Sequence, residues 1–581
     1  MSLTTKITKN FPVLLVLLVL CVGCHRTEGP SSVEQTWPFH PDSAAVTAPH
    51  GVVVSDEPLA SHAGTDIMRK GGNAVDAAVA TAFALAVTLP EAGNIGGGGF
   101  CVMRMPDGTV TALDFREKAP LAARRDMYLD ENGNVTDRSI TGHLAAGVPG
   151  SVAGLYEAHH RFGRLPWSEV LSPAIKLAAE GFPVSRSFTN SVRGDSARLV
   201  RFHGSAQKFL PGGHPVVEGT IWRNPDLARS LQRIAQRGPA GFYAGETAKL
   251  LLREMQRGGG IITARDLREY KAVWRTPIEA NYRGYRIISM PPPSSGGITI
   301  AQIANILEGY DLPHMVWHSP EHIHLVAEAM RRAFADRNHW LGDPDVVNFP
   351  QDSLISKSYA AERRSTINPH HATPSSEILP GLTSLIHEGT HTTHFSVADS
   401  AGGMVALTTT LNLSFGSAVI VEGAGFFLNN EMDDFASKPG SPNTFGLVQG
   451  EANAIAPGKR ILSSMSPTVV LDAAGTPLLI TGASGGPRII TGTFQVISNV
   501  LDFKMPIDSA VSAPRLHHQH LPDHILLEQG GFSDGTRKAL QSMGHTLKLV
   551  ERLAIAPSIA RTGNVWRGAA DTRSDGAAAG Y

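Results

Sequence analysis

The chain has 581 residues, 42% of them hydrophobic, and a formal net charge of -1. That is enough apolar material for a large core, and length alone allows two to four domains. The absence of a long basic stretch excludes the electrostatic footprint of a nucleic-acid binder. Three cysteines, Cys21, Cys24 and Cys101, exclude a disulfide framework.

Lys6 and Lys9 precede an apolar run from Phe11 to Gly23. The run is shorter than the roughly 20 residues of a membrane span. It fits a secretory signal over residues 1–23. Cys21-Val22-Gly23-Cys24 resembles a bacterial lipobox with Cys24 as the lipidated residue. The expected destination is therefore export, to the periplasm or to a membrane-anchored lipoprotein. Residues 24–50 are rich in Ser, Pro, Thr and Glu and read as a tether.

From Gly51 the pattern becomes globular. Pro58 to Lys70 reads as a helix ended by Gly71-Gly72. Asn73 can cap a second helix, Ala74 to Leu89, which is apolar nearly all round and should be buried. Gly93 to Phe100 is a glycine-rich loop where backbones approach closely. Cys101 to Phe115 reads as a hairpin turning at Pro106-Asp107-Gly108, with Arg116 at its end. Cys101 itself reads as a packing residue. Residues 150–380 alternate helices with Gly/Pro breaks, residues 392–412 and 460–482 are β-rich, and Pro439 to Gly450 reads as a lid loop. The reading is a mixed α/β body without clean domain boundaries.

Two segments carry candidate chemistry. In "THTTHFSVADSAGGMVALTTTLN" (390–412), two strands flank a turn centred on Ala401. Apolar alternation then pairs Phe395 with Leu407 and Val397 with Val405, and places Thr392 opposite Thr410 with Asn412 beyond it. A Thr hydroxyl needs a base. If the chain is cleaved between His391 and Thr392, the new α-amino group can serve, with an ordinary pKa of about 7.7–8.0. An ordinary Thr-rich hairpin is the bland alternative. The second segment, "TPLLITGASGGPRIITGTFQVI" (476–497), reads as strand, glycine turn and helix. The N–H groups of Gly485 and Gly486 suit an oxyanion hole. The same segment matches G-x-S-x-G, which offers Ser484 as an esterase nucleophile with His517 or His518 and Asp502 or Asp508. The histidine groups His391/His394, His318/His322/His324 and His517/His518/His520 match no zinc spacing, so neither a metal nor another cofactor is expected.

Nine separated motifs resemble the γ-glutamyltransferases: "NAVDAAVA" (73–80), "NIGGGGF" (94–100), "LDFRE" (113–117), "PSSGGI" (293–298), "MRRAFADRNHWLGDPD" (330–345), "TTHFSVAD" (392–399), "FLNNEMDDF" (427–435), "LSSMSPT" (462–468) and "GASGGPRI" (482–489). The resemblance implies an N-terminal-nucleophile hydrolase with an αββα sandwich. It implies a precursor cleaved into a large subunit, 51–391, and a small subunit, 392–581, that remain together as a heterodimer. Thr392 becomes the nucleophile, Thr410 its orienting partner, Gly485 and Gly486 the oxyanion donors, and Ser484 a turn residue. Arg116, Ser463 and Ser464 are expected on the donor α-carboxylate, and Asn412, Glu431 and Asp434 on its α-ammonium. Donors would be glutathione and other γ-glutamyl compounds, and acceptors water, amino acids or peptides. A glutaryl or cephalosporin acylase of the same fold is the alternative, and a non-catalytic lipoprotein another. Two features depart from the family pattern: His391 before the nucleophile, and Phe445 in the lid where several bacterial relatives carry Tyr.

Overall fold

A computed structural model describes residues 37–41, 45–379, 391–438 and 450–581. The expected signal, Cys24, and Phe445 with most of the lid loop lie outside the described residues. Among the described residues no helix is long and apolar enough to cross a membrane.

Two seven-stranded sheets form the centre. In chain order their strands are β1 (Val46–Ala48), β2 (Gly51–Ser55), β3 (Gly98–Arg104), β4 (Val110–Asp114), β5 (Val273–Arg275), β6 (Ile278–Tyr282), β7 (Tyr285–Ser289), β8 (His391–Asp399), β9 (Met404–Asn412), β10 (Thr468–Leu471), β11 (Pro477–Thr481), β12 (Ser558–Thr562), β13 (Val565–Ala569) and β14 (Ala577–Gly580). The first sheet runs β14-β2-β8-β9-β3-β4-β5 and the second β1-β13-β12-β11-β10-β7-β6. Valines and alanines of β2, β8 and β9 meet Val469, Val470, Leu479 and Ile480 between the sheets. Helices α1 (Pro58–Arg69) and α2 (Ala74–Thr88) cover the first sheet. Helices α3 (Gly296–Leu307), α4 (Pro320–Trp340) and α5 (Arg488–Leu501) lie on the side of the second. The layers are therefore helix, sheet, sheet, helix, as the αββα expectation requires.

Local chemistry explains why the elements start where they do. Glu57 accepts the Ala60 N–H at the head of α1. Asn73 and Asp76 form a reciprocal capping box on α2, and every residue of α2 is buried, as its all-apolar surface demands. The central hairpin has the register read from alternation: Phe395 pairs with Leu407, Val397 with Val405 and Thr392 with Thr410. The two faces differ in partner rather than in exposure. Phe395 and Val397 point into the helix-covered core, whereas Ser396 and Thr408 lie buried between the sheets. Cys101 is buried in β3, and burial pushes its thiol pKa up, consistent with a packing role.

Two boundaries differ from expectation. Residues 460–467 are a loop, and regular strand begins only at Thr468. The tether is shorter than read: Val46–Ala48 forms an edge strand on β13, and Trp37 is buried. Composition missed this because two aromatics in a polar stretch carry the docking.

Candidate active site

Thr392 opens β8, where the register slips between His391 and Thr392. Thr392 Oγ1 donates to Thr410 Oγ1 at 3.4 Å, and the Asn412 N–H donates to the same oxygen at 2.8 Å. Asn412 adopts φ 77°, in the left-handed region that Asn tolerates better than most residues, and its Nδ2 donates to the Asn430 carbonyl. Asn94 Nδ2 donates to the Thr410 carbonyl at 2.8 Å and to Thr409 Oγ1 at 3.0 Å. Its Oδ1 accepts from the Gly97 N–H and from Ser151. The glycine run is required by this approach: a Cβ on Gly97 would stand 2.1 Å from the Thr410 carbonyl oxygen, and one on Gly96 2.0 Å from that of Phe427.

Thr392, Thr410, Asn412, Arg116, Glu431, Asp434, Ser463, Ser464 and Gly486 all line one narrow cleft, together with Met465 and Ile489. Residues spread over more than 370 positions of sequence thus converge on the Thr392 hydroxyl. Next to Gly486, a Cβ on Gly485 would stand 3.2 Å from the Leu553 carbonyl oxygen and 3.3 Å from Ala554 Cα.

Arg116, at the end of β4, is the electrostatic centre. Its Nη1 lies 2.6 Å from Glu431 and 3.5 Å from Glu117, and its Nη2 2.7 Å from Asp434. Nε donates to the Ile461 carbonyl and Nη2 also to that of Leu462. Burial works against the Arg116 charge, but the three carboxylates outweigh it and leave the guanidinium a stronger base than usual. Burial pushes the Glu117 carboxyl up to about 7, against the opposing pull of Arg116. Burial likewise raises Glu431 and Asp434, again opposed by Arg116. Their mutual contact raises Glu431 and lowers Asp434.

The Ser463-Ser464 loop is held by two other motifs. Ser295 donates to the Ser463 carbonyl through both N–H and Oγ. Arg337 bridges Ser295 Oγ at 3.1 Å and Ser464 Oγ at 3.3 Å. The 293–298 and 330–345 motifs are thus the scaffold of the 462–468 motif.

Gly485 and Gly486 have φ of 125° and 65°, in a turn between β11 and α5. Positive φ falls on these glycines and not on Ser484, whose backbone pairs instead with Ile555. The esterase reading therefore fails geometrically. His517 bonds Thr491 and Gln519, His518 bonds Arg331, and Asp502 bonds Tyr282, Ser498 and Arg283. None of these contacts reaches Ser484.

Among the described residues, His324, Glu328 and His545 are close enough to share an ion. Glu328 already pairs with Arg331 and Arg332, and His324 and His545 hydrogen-bond each other at 2.8 Å. Two adjacent guanidinium groups make this a poor place for a divalent cation. Sequence reasoning missed Glu117, Asn94 and Arg337 as parts of the site, although each sits inside a recognised motif.

The gamma-glutamyltranspeptidase family model matches residues 60–581. The glutathione hydrolase proenzyme of Escherichia coli (strain K12) is 46% identical over 548 residues, covering 94% of this chain and 93% of its own. A solved cephalosporin acylase from Bacillus halodurans superposes with a TM-score of 0.83 at 29% identity, covering 94% of this chain and 98% of that one. The solved Helicobacter pylori γ-glutamyltranspeptidase gives a TM-score of 0.56 at 45% identity, covering 58% of this chain and 95% of that one. With the layered fold, the buried Arg116 centre and the paired Thr392 and Thr410, the chain belongs to the γ-glutamyltranspeptidase family.

Proposed function

We propose that the protein is a self-cleaving γ-glutamyltransferase and glutathione hydrolase that uses Thr392 as its nucleophile. The observation that carries the reading is the cleft in which Arg116, ringed by Glu431, Asp434 and Glu117, shares walls with Thr392 and Thr410. Self-cleavage begins when Thr392 Oγ attacks the His391 carbonyl carbon. The C–N bond breaks, an ester forms, and water hydrolyses it to a His391 carboxylate and a free Thr392 amine. That amine then takes the Thr392 hydroxyl proton as the oxygen attacks a γ-glutamyl carbonyl, and delivers it to the departing amine. The Gly485 and Gly486 N–H groups stabilise the oxyanion. Water or an amino-acid amine attacks the γ-glutamyl ester to complete hydrolysis or transfer. In support of cleavage, the 46% identical Escherichia coli relative is a proenzyme.

The charge balance selects the donor. A γ-glutamyl group brings a carboxylate for Arg116 and an ammonium for Asp434 and Glu431. A glutaryl group brings only the carboxylate, into a buried site that already holds three acidic side chains around one guanidinium. The likeness to a cephalosporin acylase keeps glutaryl-type acylation as the second reading. The test compares kcat/KM for γ-glutamyl and glutaryl p-nitroanilides. A γ-glutamyl preference of tenfold or more supports the proposal, and a glutaryl preference overturns it.

Export through residues 1–23, with lipidation at Cys24, belongs to the same proposal. The apolar run and the lipobox-like tetrapeptide support it. Mass spectrometry of the mature N-terminus tests it: an unmodified chain beginning at Met1 sinks it.

A further inference from the structure

An arm around Trp37, joined to the N-terminal end of the large subunit, docks on Ser512, Thr572 and Arg573. Trp37 is 4% exposed, and its Nε1 donates to the Ser512 carbonyl at 3.2 Å. The Arg573 guanidinium lies over the Trp37 ring at 5.2 Å and over the Phe39 ring at 5.0 Å. Thr572 Oγ1 donates to the Phe39 carbonyl. Arg573 is the hub of a wholly buried ion cluster. It makes a two-pronged pair with Glu528, both arms at 2.7 Å, and meets Asp571 at 3.0 Å. Arg515 meets Asp571 at 2.8 Å. Two cations and two anions balance.

The outward-facing atoms of that cluster converge on one loop. Glu528 accepts the Leu553 N–H, Asp571 accepts the Ala556 N–H, and Arg515 donates to the Ala554 carbonyl. The centre of the loop, Ile555, exchanges two backbone hydrogen bonds with Ser484, at 2.8 and 3.1 Å. Gly485 packs directly on Leu553 and Ala554. The path from Trp37 to the glycine turn is therefore continuous, and each link is a hydrogen bond, an ion pair or a ring contact.

We propose that Trp37 and Phe39 are positioning residues for the reaction, acting through Arg573 and the Leu553–Ala556 loop to hold Gly485 and Gly486 in register with Thr392. The physical reason is water exclusion. The two rings close one face of Arg573, and ion pairs kept from water hold their geometry more strongly than hydrated ones. After cleavage the arm belongs to the large subunit and the glycine turn to the small one, so the large subunit would tune the small subunit's oxyanion site. This rests on the oxyanion reading of Gly485 and Gly486 given above.

The test uses the full-length protein, with Trp37→Ala, Trp37→Phe and Phe39→Ala as variants. Activity is expressed per active site, titrated with a γ-glutamyl affinity label, so that a misfolded fraction does not count. Amide exchange is followed at Ser484, Leu553, Ile555 and Ala556, with residues 98–104 as the control. Trp37→Ala is expected to lower kcat per titrated site about tenfold or more, with KM for the donor changed less than about twofold. The four amides should exchange faster and the control should not. Trp37→Phe should restore most of both, and Phe39→Ala should give a smaller shift in the same direction. Unchanged exchange at the four amides in both alanine variants overturns the arm's role. Faster exchange with unchanged kcat overturns instead the oxyanion role of the glycine turn.

Discussion

Asp434 should decide which acyl group the cleft accepts. The Asp434→Asn change keeps the size of the side chain and removes its charge. In the structure Asp434 Oδ2 lies 2.7 Å from Arg116 Nη2, and both groups are buried. Arg116 would stay in place, because the Ile461 and Leu462 carbonyls accept from it at 3.1 and 3.3 Å and Glu431 remains 2.6 Å away. What is lost is the anion proposed to face the donor α-ammonium. Removing one partner of such a buried charge pair costs about 2–5 kcal/mol. At about 1.4 kcal/mol per factor of ten, γ-glutamyl turnover should fall by roughly two orders of magnitude. A glutaryl amide has no ammonium to lose, and it gains from one fewer carboxylate, so its kcat/KM should fall less or rise. The assay measures kcat/KM for both p-nitroanilides in the wild type and in Asp434→Asn. Equal factors on the two substrates would refute the reasoning, and Glu431 would be the next residue to test.

Three other outcomes follow from the geometry. Arg116→Lys keeps a charge but loses the planar fork that meets Glu431 and Asp434 on separate nitrogens; donor KM should rise about tenfold or more while self-cleavage persists on a gel. Gly97→Ala would drive a methyl to within 2.1 Å of the Thr410 carbonyl oxygen; a loss of about 3 kcal/mol or more in denaturant unfolding, or failure to cleave, is expected. Burial pushes the Asp56 carboxyl up to about 7 despite the hydrogen bond from Thr393. The folded state then binds the extra proton, so this residue's contribution is complete below about pH 4 and is lost as pH rises through 7. Asp56→Asn should shrink the drop in Tm between pH 5 and pH 8, and an unchanged drop would show that Asp56 does not cause it.

Much of the local structure was legible because it is dictated by neighbours in sequence. Strict alternation around Ala401 allowed a single register for the hairpin, and the observed pairs agree with it. Asn73 followed by an all-apolar stretch gave a capped, buried helix for the same reason. The site was legible only through resemblance. Arg116, Asp434, Ser463 and Thr392 meet across two sheets, and no periodicity in the sequence encodes which distant loops touch. The Arg116 surroundings show the limit best. A sequence reading offers the fork to a substrate carboxylate, whereas the structure finds Glu431, Asp434 and Glu117 already around it. Glu117 could not be assigned, because a strand-end "RE" is ordinarily solvated on the surface, and only folding buries it. Trp37 escaped for the opposite reason: a polar, proline-containing stretch looks like linker unless its two aromatic rings have somewhere to dock.

The central claim is that Thr392 is released as an N-terminal nucleophile, and one measurement reaches it directly. Purified wild type and Thr392→Ala are analysed by intact mass and N-terminal sequencing of each band. The wild type should run as two chains, the smaller beginning at Thr392 and ending at Tyr581, and Thr392→Ala as one inactive chain. An active wild type that stays in one piece, a small chain that begins elsewhere, or normal cleavage of Thr392→Ala would contradict the account.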